Sequence, residues 1–398
     1  MKILQLCSKP PYPSSDGGAI AIHAITRGLI KAGHQVKVLA INTPKHFVKA
    51  SEIDNDYARQ TNCEFVFVDT TIKARHAFMN VFGRGSYNVS RFISADLERK
   101  LIEVLTLTSY DIVQLETLFV SPYVDIIRKH SKAKIVLRSH NNEHGIWERL
   151  AFNTGSTFKK IYLNFLARRL KKYETSMLNR YDGIATITAN DASMFTKLGC
   201  KQPMTTIPFG IETETVQKAG TDMVENDSIF HLAAMNWQPN LQAVNWFIDK
   251  VWDLVFKKYP GLHLYLAGRY MPGSLLQLDK KNIHVVGEVP DAQRFMLSKN
   301  IMVVPLLSGG GMRIKIIEGM SLGKTIISTS IGAEGINYTD GFNILIANTP
   351  EQFATAIGKC IEDRSYCLEI GKNAVRLARE EYDNDKIVQK LTAFYKEL

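Results

Sequence analysis

The chain has 398 residues, 45% hydrophobic and 22% charged, with a formal net charge of +10. That is the profile of a soluble globular protein of two or three domains, and no apolar run approaches the roughly 18 residues of a membrane span. Five scattered cysteines (Cys7, Cys63, Cys200, Cys360, Cys367) lack CxxC spacing, which argues against a zinc cluster or a disulfide scaffold and fits a reducing compartment. The charge is uneven: residues 1–206 hold 29 Lys/Arg against 17 Asp/Glu, a net of +12, and the remainder holds 20 against 22, a net of −2. A basic first half points to nucleic acid, anionic lipid or a phosphorylated substrate.

In chain order, MKILQLC is too short for a signal-peptide core and predicts a first strand over Lys2–Cys7. Helical spacing follows over Ala19–Lys31, then strands at Val36–Ile41, Phe65–Val68, Ile112–Leu115, Ile135–Leu137 and Ile184–Ile187, with helical stretches between. TTIPFGIETET and the polar residues up to Ser228 predict a linker. A second series begins at Ile229–Ala234 and continues with strands at Leu262–Ala267, Val285–Val286, Met302–Pro305 and Thr325–Thr329. Helices are expected over Leu241–Lys257, Ala292–Ser298 and Arg313–Leu322, with a last one over Asp383–Leu398. Two tandem α/β series of this kind predict two Rossmann-like domains, 1–206 and 207–382, and a ligand site in the cleft between them.

EGMSLGKTIIST (318–329) has the look of a phosphate-binding P-loop, but its glycines are separated by three residues and its context is reversed. Ile314, Ile317 and Met320 are helically spaced, so Gly323 ends a helix and Thr325 begins a strand. The better anion site is one helix earlier, in SGGGMRIK (308–315). Gly309, Gly310, Gly311 and Met312 would leave backbone N–H groups uncovered, and the helix start adds its own N–H groups and positive dipole end. Arg313 and Lys315 add full charges in a first turn where cations are normally disfavoured, so an anion is expected there. Glu318, one turn on, is suited to accept hydrogen bonds from the two hydroxyls of a ribose.

With these residues in place, SGGGMRIKIIEGMSLGKTIISTSIGAEGI resembles the donor-binding signature of retaining, nucleotide-sugar-dependent glycosyltransferases of family 4, which have the GT-B fold. PPYPSSDGGAIAIHAITRGLIKAGHQVKVL, RSHNNEHGIWERLA, AAMNWQPNLQAVNWF and VVGEVPDA resemble further segments of that family, in order. The resemblance implies two Rossmann-like domains facing each other across a cleft, with the final helix (383–398) crossing back to the first. It implies a nucleoside diphosphate sugar as co-substrate, UDP or GDP, no cofactor and no bound metal, and transfer with retention. It places Gly17 and Gly18 of the Asp16-Gly17-Gly18 turn against the diphosphate or donor sugar, and His140 at the reacting sugar, with Glu143, His144, Trp147 and Glu148 as weaker candidates. Two departures stand out: Gly310 occupies the position of the family's first glutamate, and Met235-Asn236-Trp237 lies where a basic pair is usual. Diphosphate binding therefore shifts onto Arg313 and Lys315, which with His140 form the expected catalytic set.

His140-Asn141-Asn142-Glu143-His144 also reads as H-x-x-E-H, a zinc-protease pattern, but it follows a strand directly where that motif requires a helix. Lys159, Lys160, Arg168, Arg169, Lys171 and Lys172 give six cations and no acid from Gly155 through Lys172, flanking Ile161–Leu166. Such a helix either lies on an anionic membrane or packs on its own domain through Phe158, Tyr162, Phe165 and Leu166; the +12 half favours the membrane, with a lipid-linked or glycan acceptor. The expected setting is the cytoplasmic face of the cell membrane. A sugar-nucleotide epimerase of similar fold is the competing enzyme. A nucleic-acid binder lacks an interleaved aromatic–basic patch, and a dinucleotide oxidoreductase lacks the third glycine in Gly83-Arg84-Gly85-Ser86-Tyr87-Asn88.

Overall fold

A computed structural model of the chain describes residues 1–13, 16–71, 85–152, 154–212 and 225–398. Part of the expected linker (213–224) and Gly83 and Arg84 of the glycine-arginine run lie outside the described residues. The chain divides into two compact units, Met1–Gly210 with Asn384–Leu398, and Ile211–Asp383. The divisions fall at 210/211 and 383/384, where the sequence pattern suggested 206/207 and 382/383.

The first unit is built on seven parallel strands: β1 (Lys2–Cys7), β2 (Gln35–Asn42), β3 (Glu64–Phe67), β4 (Ile112–Glu116), β5 (Lys134–Ser139), β6 (Gly183–Thr186) and β7 (Met204–Thr206), in the order β3-β2-β1-β4-β5-β6-β7. Alternate residues feed opposite faces, as a pleated strand requires. Leu4, Leu6, Leu39, Ile41, Val113, Leu115, Ile135 and Leu137 enter one buried cluster. Ile3, Val36, Val38, Ile112 and Val136 enter the other, with Ile22, Ile25 and Leu29 of the Gly17–Lys31 helix. Covering both faces is what makes these strands largely apolar. β7 was not anticipated, and Thr205 and Thr206 fell in the expected linker; its three residues are half-buried, too few and too polar to show as a strand pattern.

The second unit has six parallel strands: β8 (Glu225–Leu232), β9 (His263–Ala267), β10 (Ile283–Gly287), β11 (Lys299–Val304), β12 (Thr325–Ser328) and β13 (Leu345–Ile346), in the order β10-β9-β8-β11-β12-β13. Its core gathers Ile229, Leu264, Leu266, Ile301, Val303 and Ile327 against Trp252, Phe353 and Ile357. The expected helix over Leu241–Lys257 is instead helical from Gln238 to Lys258, with a π-helical stretch at Phe247–Trp252. The wider turn keeps Phe247, Ile248, Val251 and Trp252 all buried.

The C-terminal helix, Asn384–Glu397, belongs to the first unit. Its stripe Ile387, Val388, Leu391, Phe394 and Tyr395 packs on the core under the Gly17–Lys31 helix. Asn384 donates its side-chain N–H to the Ala24 carbonyl at 2.8 Å, and Lys31 pairs with Asp385 at 2.5 Å. Gly28 permits the approach: a Cβ there would lie 2.5 Å from Val388 Cγ2 and 2.7 Å from Asn384 Nδ2. Gly28→Val is expected to destabilise the protein by about 1–3 kcal/mol, the usual cost of overpacking, read as a lowered midpoint of urea unfolding; an unchanged midpoint would refute this packing.

Candidate active site

Both sheets reverse direction of build between their first and fourth strands, and in such sheets ligands bind beyond the carboxyl ends at that switch point. In the first unit the switch lies between β1 and β4. Register aligns Cys7 with Glu116, and Glu116 with Arg138 of β5. Just past the strand ends, the Thr117 hydroxyl donates to Ser8 Oγ at 3.0 Å. Thr117 has φ +84°, unusual for a β-branched residue, and such strain of about 1–3 kcal/mol is commonly held at functional turns.

His140, the residue after β5, is nearly buried with its ring turned to this row. Its Nε2 lies 2.7 Å from Glu116 Oε2, and Arg138 Nη1 lies 3.3 Å from the same oxygen. Phe209 closes the cluster, edge-on to the His140 ring at 5.9 Å and 5.8 Å from the Arg138 guanidinium. Glu116 and Arg138 are fully buried. Burial pushes the Glu116 carboxyl up, but Arg138 and the bonds from His140 and Gln114 outweigh it and hold it below its ordinary value. Burial is the largest influence on His140 and lowers its pKa despite Glu116, which favours the neutral ring. Glu116, Arg138 and Phe209 were not singled out from the sequence.

Asp16 caps the Gly17–Lys31 helix, accepting from the Ala19 N–H at 2.9 Å, and pairs with Lys9 at 2.5 Å. Gly17 is exposed. Gly18 lies against Lys9: a Cβ there would be 2.7 Å from Lys9 Nζ. This turn thus presents a lysine as well as bare backbone, a charge the sequence pattern did not reveal.

The H-x-x-E-H reading fails on geometry, because the helix begins only at Glu143 (Glu143–Phe152). His140 faces Glu116, whereas His144 Nδ1 bonds Glu174 at 2.6 Å. Glu174, on the Thr157–Met177 helix, also accepts the backbone N–H groups of Glu143 and His144, both at 3.2 Å. Burial first, and the Glu174 charge second, raise the Glu143 pKa to about 8. Of the other weak candidates, Trp147 packs on the core and Glu148 is paired with Lys171 at 3.8 Å. Between pH 4.5 and about 8 the folded chain holds a proton on Glu143 that the unfolded chain releases, so this group weakens the fold as pH rises. Glu143→Gln is therefore expected to exceed the parent in stability at pH 8 by about 1 kcal/mol or more, the gap closing towards pH 5, in urea unfolding at the two pH values. A gap that does not change with pH would contradict this.

In the second unit the switch lies between β8 and β11. The loop after β11 contains Gly309 and Gly311 at φ +122° and +83° and leads into the Ile314–Ser321 helix. Arg313, the residue before that helix, folds back: Nη1 donates to the Gly310 carbonyl at 2.6 Å and to that of Gly311. Its guanidinium lies 5.1 Å from the centre of the Trp237 ring, which also packs on Gly309. Trp237, in the segment Met235-Asn236-Trp237 where a basic pair was expected, thus holds the loop through Arg313. Met312 is buried, and Lys315 pairs with Glu318 one turn on, at 2.6 Å. The sequence pattern had both cations meeting the anion directly; here one braces the loop and the other neutralises the carboxylate. Gly323, at φ +71°, ends the helix ahead of β12, as expected from the reversed motif. Lys324 turns inward to the carbonyls of Leu297 and Lys299 at 3.1 and 2.7 Å, its pKa lowered by burial to about 8.

The Thr157–Met177 helix buries Leu163, Leu166, Ala167 and Leu170 on its own unit. Phe158 and Ile161 are instead 88% and 64% exposed, as is Phe152, at 79%, on the preceding helix. Lys159, Lys160, Arg168 and Lys172 are exposed as well, with Lys160 over Phe152, and Arg169 lies over Phe165. Among the described residues no helix is long and apolar enough to cross a membrane, and no group of three or more His, Cys, Asp or Glu is placed to hold a metal ion.

The family model described as Glycosyltransferase Family 4 matches residues 15–215, about half of the chain, and that described as Glycosyl transferases group 1 matches residues 226–363. An uncharacterized 44.6 kDa protein in the cps region of Klebsiella pneumoniae is 25% identical over 97% of both chains. Among solved structures, Anabaena HepE in complex with UDP-glucose superposes with a TM-score of 0.65 at 15% identity, over the whole of both chains. A mutant of S. aureus TarM in complex with UDP, fondaparinux and α-GlcNAc-glycerol gives 0.69 at 11% identity, over 99% of this chain and all of that one. Sucrose-phosphate synthase from Thermosynechococcus elongatus gives 0.68 at 12%, over 100% and 99%. With parallel sheets of this order in both units and these matches along its length, the chain belongs to the glycosyltransferases of GT-B fold, a Glycosyltransferase Family 4 domain followed by a group 1 domain.

Proposed function

We propose that the chain moves a sugar from a nucleoside diphosphate donor, UDP in first place, to a hydroxyl of a glycan or lipid-linked acceptor, with retention at the anomeric carbon. The observation that carries this reading is the loop at the second switch point: paired positive-φ glycines, a helix start, and Glu318 one turn further on. The diphosphate takes the amides of Gly310–Met312, and Glu318 takes the ribose hydroxyls, releasing Lys315 towards the phosphates. The UDP and UDP-glucose complexes of HepE favour UDP as the base. A relative in a cps region favours the assembly of a cell-surface polysaccharide.

The departing diphosphate accepts the acceptor's proton, and attack occurs on the face it leaves. Loop amides, Lys315 and the helix dipole stabilise the charge that develops on it, a route that calls for no bound metal. Neutral His140, backed by the Glu116 anion, stabilises positive charge on the reacting sugar. On the first unit, Phe152, Phe158 and Ile161 enter an anionic membrane while Lys159, Lys160, Arg168 and Lys172 meet its headgroups. This keeps the enzyme peripheral, on the cytoplasmic face.

Thermal shift against UDP-, GDP-, ADP- and CMP-sugars should show a response to the UDP series above all others; no response to any would refute the donor class. Glu318→Ala should raise the donor Kd about tenfold, as loss of a charge-assisted hydrogen bond of roughly 1.5 kcal/mol predicts. His140→Ala should lower kcat about a hundredfold with little change in donor affinity. Parental kinetics in both variants would refute the site. A Phe158→Ser/Ile161→Ser variant should lose co-sedimentation with phosphatidylglycerol vesicles while its unfolding midpoint is kept; full retention on vesicles would refute the membrane face.

A further inference from the structure

The buried polar groups of the first unit form a line that runs from the C-terminal helix to His140. The Tyr395 hydroxyl donates to Gln114 Oε1, and Gln114 Nε2 donates to Glu116 Oε1. The other carboxylate oxygen, Oε2, faces His140 Nε2 at 2.7 Å and Arg138 Nη1 at 3.3 Å. All four residues beyond His140 on this line and beside it, Tyr395, Gln114, Glu116 and Arg138, are buried, and among the described residues Cys7 and Lys9 are further titratable groups close by. The order of donors has one consistent direction. The opposite amide orientation of Gln114 would set its oxygen against the carboxylate.

Two groups compete for His140 Nε2. Arg138 Nη1, at 3.2 Å, offers it a proton; the Glu116 carboxylate, at 2.7 Å, demands one. A bare nitrogen lone pair facing a carboxylate oxygen at that distance is repulsive, whereas an N–H directed at it makes a short charge-assisted bond. The carboxylate therefore decides the tautomer. Among the described residues Nδ1 makes no hydrogen bond, so in the neutral ring its lone pair is left to accept one.

We propose that Glu116 is a positioning residue that fixes His140 as the Nε2–H tautomer, so that Nδ1 accepts a hydrogen bond from a hydroxyl of the bound sugar. His140 then recognises a sugar O–H and cannot act as the acid that protonates the leaving group, since its one N–H is committed to Glu116. Tyr395 and Gln114 extend the same support to the C-terminal helix, which explains why a helix so distant in sequence carries a buried phenol at this point. The inference rests on the placement of His140 at the reacting sugar.

The test is long-range proton–nitrogen correlation on the full-length protein with labelled histidine at pH 7.5, with His140 assigned by comparison with His140→Gln. The expected result is a pyrrole-type Nε2 and a pyridine-type Nδ1. In Glu116→Leu, Arg138 becomes the sole partner of Nε2 and donates to it, so the pattern should invert, and kcat should fall about tenfold or more, equivalent to roughly 1.4 kcal/mol, with the donor KM nearly unchanged. A pyridine-type Nε2 in the parent protein overturns the proposal, and that spectrum decides alone if the variant does not fold. Full turnover by His140→Ala, with the tautomer as expected, instead overturns the catalytic reading on which the proposal rests.

Discussion

A carboxylate with no solvent contact, Glu116 at the end of β4, is the constraint around which the first unit is arranged. An ion of this kind is tolerated only when a counter-charge and hydrogen bonds replace its water. Parallel register supplies the counter-charge, because Arg138 of β5 is the residue opposite it. The turn after β5 supplies His140, β4 itself supplies Gln114, and Phe209 covers the guanidinium. Removing any one leaves a buried charge short of a partner, so fold and site share the same residues here. An apolar replacement would serve stability as well or better; a charge retained at the switch point of a nucleotide-type sheet points to chemistry.

The second unit meets the same topological opportunity in a different way. Its switch point carries backbone where the first carries side chains. Two glycines in the left-handed region turn the chain sharply ahead of the Ile314–Ser321 helix, and Arg313, clamped by Trp237, bonds the loop carbonyls. Those bonds tie the Gly310 and Gly311 carbonyls to the residue that opens the helix. Gly310, where the resembled family often has a glutamate, leaves the loop without a negative charge of its own.

The fold was legible because buried parallel strands are largely apolar runs: each of the long strands, from Lys2–Cys7 through Thr325–Ser328, was anticipated within a few residues. The segments that escaped, Met204–Thr206 and Leu345–Ile346, are too short for a periodic signal. The π-helical stretch at Phe247–Trp252 escaped because an apolar stripe does not distinguish a wider turn. At the two switch points, His140 and the glycine loop stood out as motifs. Glu116 and Arg138 did not, because each sits inside an apolar strand and their pairing depends on register. A usable signal was present: charged residues at the carboxyl ends of two otherwise apolar strands. The inward turn of Arg313 had no signal, since an arginine before a helix reads equally well as a ligand or as a brace.

Each unit carries its own switch point, a buried polar cluster around Glu116 in the first and a glycine loop leading to Glu318 in the second. The most direct measurement is a crystal structure of the protein with UDP. The account predicts a diphosphate within hydrogen-bond distance of the amides of Gly310–Met312 and a ribose on Glu318. A nucleotide bound at any other place, with that loop and Glu318 free of it, would contradict it.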